Sequence, residues 1–185
     1  MLMKLGKMLA GATLLGMVLA GPVLLRAQTG DSDKINKLFA EIRQHAVNAE
    51  SDAELLESYT RSRLHWESHA ARVHSMRDHV NDLIRDFNDA KAYREQGSEW
   101  QKGAIDNIEP LLQGMAAHLT ATIDHLNNNQ DKTAMKPWRD YVHANREYAN
   151  KTANLIRDYV EYSEAKAKAD LIESKVQVPE NPGQE

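Results

Sequence analysis

The feature that most constrains this chain is an apolar stripe that returns every three or four residues. Between Asp52 and Glu95 it reads Leu56, Tyr59, Trp66, His69, Ala70, Val73, Met76, Val80, Leu83, Phe87 and Ala90. Side chains three and four apart share one face of an α-helix, so this spacing winds the chain into a rod with one sticky side. Almost nothing interrupts it. From Asp31 to Val176 the only glycines are Gly97, Gly103 and Gly114, and the only prolines are Pro110 and Pro137. A sheet-rich fold needs far more turn residues than that, and aromatic content of 6% argues the same way. The predicted fold is all-α, built from long antiparallel, coiled-coil-like hairpins in a three- to four-helix bundle.

Four segments carry the stripe. The first is expected over about Asp33–Ala49, with Ile35, Leu38, Phe39, Ile42, Ala46 and Ala49 on one face. The second is expected over Asp52–Glu95, started by a capping box at Ser51-Asp52-Ala53-Glu54, with an interruption near Ser62–Arg63. Gly97 reads as a left-handed C-cap, and Ser98-Glu99-Trp100-Gln101 as a second capping box. The third segment carries Ile105, Ile108, Leu112, Met115, Leu119 and Leu126 in phase across Pro110, which favours a kink over a break. Asn127-Asn128-Asn129 is a loop. The fourth begins between Asp131 and Trp138 and continues through Tyr162 into an Ala/Lys/Glu-rich stretch. A first helix this short would not close a uniform four-helix bundle. Either the second helix bends near Ser62, or three helices form the core and the first covers one end.

The chain divides into three parts. Residues 1–27 pair Lys4 and Lys7 with the apolar run Met8–Leu25 and end at Ala27, the pattern of a secretory signal peptide. The alternative is an uncleaved anchor, the one case in which a membrane would be a partner. Residues 28–176 form the helical domain, and the polar, proline-bearing residues 177–185 are expected to be disordered. The expected location is periplasmic or secreted. The whole chain has 23 Lys+Arg and 27 Asp+Glu. Removing residues 1–27 takes three cations and no acid, leaving 20 against 27, a net charge of −7. That excludes a basic nucleic-acid face. The absence of cysteine excludes disulfides, thiol catalysis, zinc knuckles and iron–sulfur clusters.

Eight histidines are the unusual element. His65 and His69 stand at i and i+4, a spacing that can grip one metal ion. If the second hairpin turns near Gly97, His69 comes near His125, and His65, His69 and His125 become a candidate cluster for zinc, copper or nickel. The competing reading is solvated or hydrogen-bonded helix histidines with no cofactor. Ser–His–Asp triples arise by chance in such a chain, and no glycine loop could cradle phosphate. The chain is therefore read as non-enzymatic. Tyr141, Asn145, Tyr148, Tyr159 and Tyr162 make either a half-buried helix seam or a partner-binding face. A lone stripe asparagine such as Asn145 often fixes register.

His65-Trp66-Glu67-Ser68-His69-Ala70, Met76-Arg77-Asp78-His79-Val80-Asn81-Asp82-Leu83, Trp100-Gln101 and Pro110-Leu111-Leu112 resemble a group of uncharacterised exported bacterial helical proteins. The likeness spans about Glu41–Lys168. It implies a helical hairpin and carries no functional residue with it. A looser similarity to secreted ferritin-like bundles rests on Met76, Asp78-His79, Asn81 and Leu83, without the metal carboxylates. The expected role is structural or protein-interaction, through a protein partner or self-association; the alternative is a periplasmic metal-binding bundle.

Overall fold

The computed structural model describes residues 30–62 and 64–176. The leader and the C-terminal tail read from the sequence lie outside these residues. Four helices follow one another: α1 (Asp33–Tyr59), α2 (Trp66–Ala92), α3 (Glu99–Asn128) and α4 (Lys136–Val176). Short 3-10 turns at Arg94–Gln96 and Gln130–Lys132 join the later pairs. Short connections make neighbours antiparallel. α1 packs on α2 and α4, and α3 packs on α4 and α2, so the four helices close into a square bundle.

The closure depends on where α1 ends. It runs through Ser51 without pause, which corrects the expected boundary at Ala49 and the capping box at Ser51. The stripe shows why: Ala46, Ala49, Ala53 and Leu56 stay in phase and are all buried. The chain leaves the helix ten residues later. There Thr60 Oγ1 donates to the Glu57 carbonyl at 2.7 Å and Ser62 Oγ to the Tyr59 carbonyl at 2.9 Å. Hydroxyls that bond local carbonyls compete with the helix ladder. The segment expected to be one long second helix is thus the end of α1, a turn, and α2. All four helices are then long enough to share a core.

Two expectations at the next turn divide. Gln101 caps α3 as expected, its Oε1 accepting from the Ser98 N–H at 3.0 Å. It also ties down the start of α1: Oε1 accepts from Ser32 N–H at 2.9 Å, and Nε2 donates to the Ser32 carbonyl and to Asn36 Oδ1. Gly97 is not a left-handed cap, since its φ and ψ are −82° and 157°. Crowding explains the glycine instead. A Cβ there would stand 2.8 Å from Ile35 Cδ1. α3 runs through Pro110 unbroken, and Pro137 lies in the first turn of α4, where a missing N–H costs little.

The core is mainly apolar, with Phe39, Ile42, Leu56, Met76, Leu83, Ile105, Met115 and Trp138 among its fully buried side chains. Asn145 is also fully buried. Its Nδ2 donates to Thr122 Oγ1 on α3 and to the Tyr141 carbonyl, which locks α3 against α4 in one register.

α4 outlasts its neighbours. Its last buried side chain is Ser163, yet the helix goes on to Val176. Glu164 still pairs with Arg43 and Lys166 with Asp31, and the ten residues beyond extend about 15 Å at the helical rise.

Candidate functional site

The three histidines singled out from the sequence sit at the bundle end where α1 finishes and α2 starts. They do not converge. His65 occupies the N-cap position of α2 with its side chain 79% exposed, and pairs with Glu67. That bond holds the Glu67 carboxyl below its ordinary range. His69 is buried, and its Nδ1 accepts from the indole N–H of Trp138 at 3.2 Å. Its ring also meets the edge of Tyr59, with centroids 5.8 Å apart. His125 stacks on the Trp138 ring at 6.2 Å and lies against Tyr141 at 4.6 Å.

Trp138 is therefore common to both buried-end histidines, and each contacts it from a different helix. The hairpin register contributes to this. Lys91 of α2 faces Glu109, and Arg94 of the following 3-10 turn faces Asp106, both on α3, which slips His125 more than a helical turn from the expected position beside His69. Among the described residues no group of three His, Asp or Glu side chains is placed to hold a metal ion. His69 is further committed by its chemistry. Burial pushes its pKa down, and Nδ1 is already an acceptor, so the ring is neutral with its proton on Nε2. It serves as a hydrogen-bonded core group.

A second polar cluster, on the α1–α2 seam, was not read from the sequence. Asp52 is 6% exposed and pairs with Arg72 at 2.5 Å. His79 Nε2 lies 3.8 Å from the other Asp52 oxygen, and His45 pairs with Asp86 at 3.3 Å. The two imidazoles stand 6.4 Å apart. One signal did point to it: Asp52 falls between Ala49 and Ala53 in the stripe, and a carboxylate at core phase requires a cation. The cluster joins two helices and uses its charges on itself.

The opposite end of the bundle differs. Trp100 on α3 donates its indole N–H to Asp31 at 2.7 Å and meets the Tyr162 ring edge-on at 5.1 Å. Tyr159 accepts at its hydroxyl from Asn107 at 2.8 Å. Trp100, Leu155, Asp158, Tyr159 and Tyr162 line a shallow, mainly apolar groove between α3 and α4. Burial would raise the Asp31 carboxyl, but bonds from Ser98, Trp100 and Lys166 outweigh it and hold the pKa low. Asp31 is thus an anion that fixes both Trp100 and Lys166.

Among the described residues, only α4 continues beyond the groove. Leu171, Ile172 and Val176 are 54%, 53% and 69% exposed, and Tyr162 is 50% exposed. Exposed apolar side chains are ordinary one at a time; a run continuous with an aromatic groove marks a contact surface. Of the expected partner-binding tyrosines, Tyr159 and Tyr162 lie here. Tyr148 is instead stacked on His118 at 4.5 Å, inside the α3–α4 seam. No helix among the described residues is long and apolar enough to cross a membrane. Comparison with known proteins gives no match, whether to protein-family models, to curated proteins or to solved structures.

Proposed function

We propose that this chain is an exported, non-catalytic helical bundle that works by association with protein, through the far end of α4. One observation carries the reading. α4 projects past the bundle from Ala167 to Val176 with Leu171, Ile172 and Val176 exposed among the described residues, and this extension starts just beyond the Trp100–Tyr162 groove. Large apolar side chains held on a projecting helix gain free energy only when something covers them, at roughly 25 cal/mol per Å². Tyr and Trp at the base are the residue types that anchor interfaces. The leader pattern of residues 1–27 supports the exported part of the reading. Nothing at the histidine end favours the metal-binding alternative, because His69 is spent on Trp138 and His65 on Glu67.

The test is site-specific photo-crosslinking in the cells that make the protein. A photoreactive residue replacing Ile172 is expected to give a discrete protein adduct of defined mass. The same probe replacing Met135, exposed at the opposite end, is expected to give none. Absence of any adduct from both Ile172 and Tyr162 overturns the proposal.

A further inference from the structure

We infer that the partner for the α4 extension is a second copy of this chain, paired in parallel as a short two-stranded coiled coil. The inference rests on the reading just given and names its occupant. Tyr162, Ala165, Ala169, Ile172 and Val176 follow one another at steps of three, four, three and four. That is the a/d seam of a heptad repeat, with a at Tyr162, Ala169 and Val176 and d at Ala165 and Ile172. Among the described residues Ala165, Ala169, Ile172 and Val176 are exposed, and of the seam only Tyr162 at its base packs against another helix of the bundle.

Charge selects the occupant and its direction. In a parallel pair each g position meets the partner's next e position. Here Glu161 at g meets the partner's Lys166 at e, and Lys168 at g meets the partner's Glu173 at e. By two-fold symmetry each contact occurs twice, and every one joins opposite charges. An antiparallel pair matches g with g and e with e: Lys166 then meets the partner's Glu173, but Lys168 meets the partner's Lys175, so attraction at one flank is offset by a like-charge contact at the other. Among the described residues Glu161, Lys168 and Glu173 form no ion pair within the chain; Lys166, already bonded to Asp31 and Asp170, only shares its charge with the partner's Glu161, so the Lys168–Glu173 contact carries the selection. A helix face whose flanking charges complement themselves in one orientation points to a copy of itself. Two alanines in the seam keep its apolar area small, so the dimer is reversible.

The chain has no cysteine, which makes the test direct. Sedimentation of the processed protein over a dilution series is expected to show a monomer–dimer equilibrium. Ile172→Asp is expected to abolish the dimer with helicity and thermal midpoint unchanged, since among the described residues no side chain past Ser163 is buried. Lys168→Glu and Glu173→Lys are each expected to weaken it at least tenfold, and an equimolar mixture of the two to restore it. Single-cysteine variants Ala165→Cys and Val176→Cys are each expected to form disulfides with themselves; preference for the mixed disulfide would mean antiparallel pairing and overturn the inference. A dimer that survives Ile172→Asp also overturns it. So does a monomer at every concentration, and in that case crosslinking from Ile172 decides separately whether the broader association reading stands.

Discussion

The indole N–H of Trp138 reaches His69 Nδ1 across 3.2 Å, linking α4 to α2 where both side chains are 1% exposed. The bond requires a neutral His69, and burial lowers its pKa to keep it so. The sign follows from proton counting. Below the unfolded value of 6.5 the unfolded chain binds a proton at this site that the folded chain refuses. Stability from this site is intact above 6.5 and falls as pH drops from there toward the lowered folded value. Wild type is expected to lose stability relative to His69→Gln over that interval, read as a shrinking gap between their urea midpoints. A gap that does not change with pH would refute the neutral, buried imidazole. Trp138→Phe at pH 8 leaves His69 Nδ1 buried and unpaired, and is expected to cost about 1–3 kcal/mol.

Asp52 and Arg72 set a second expectation. Asp52 lies at core phase on α1 and its carboxylate is compensated by a guanidinium on α2. Asp52→Asn keeps the volume and removes the charge, so the loss is the charge-assisted bond, about 1.5–3 kcal/mol. Urea unfolding should show a lowered midpoint with an unchanged slope. Asp52→Leu combined with Arg72→Leu is expected to recover most of the loss, because the damage in the single variant is an unpaired cation in the seam. If Asp52→Asn is neutral, the pair does not hold the α1–α2 seam.

Gly114 gives a prediction whose sign depends on a neighbour. Replacing a mid-helix glycine with alanine ordinarily stabilises by about 1 kcal/mol. Here the new Cβ would lie 2.5 Å from Tyr148 Cε1, and Tyr148 is itself stacked on His118. Gly114→Ala is therefore expected to destabilise, by about 1 kcal/mol net once crowding of 1–3 kcal/mol meets the helix gain. In a Tyr148→Ala background the same change is expected to stabilise. Thermal unfolding of the four chains completes the cycle, and additivity would exclude the close approach.

The stripe made the bundle legible because burial on a helix has to repeat every three or four residues. The same phase also carries α1 past Ser51. Ala49, Asp52, Ala53 and Leu56 never lose phase, whereas Ser51 merely resembles a cap. A capping serine is a local signal, and the stripe overrides it because the whole core backs the longer pattern. The histidine cluster failed for a different reason. Spacing along one helix puts His65 and His69 on related faces, but which side chain stands between two helices depends on register. Trp138, contributed by a third element, lies against both His69 and His125. Asn145 was legible as a register residue; its bond to Thr122 needed the α3–α4 alignment to be seen.

The α4 extension should be separable from the fold. Past Lys166, which bonds Asp31, no residue of α4 makes a hydrogen bond or ion pair outside its own helix among the described residues. Ending the chain after Lys166 removes Leu171, Ile172 and Val176 but nothing from the core. The bundle's unfolding free energy is expected to change by less than about 0.5 kcal/mol, the range of surface changes away from packed sites. Limited proteolysis gives a second view of the same independence. A helix of ten or so residues without tertiary contacts is marginal in water, so the isolated extension is cut first, at its lysines. Raising the protein concentration should slow that cleavage if the extension is covered by association, while cleavage in the α1–α2 turn near Arg61 proceeds at an unchanged rate. Equal protection at both places would mean that the projecting helix is covered no more than the rest of the surface.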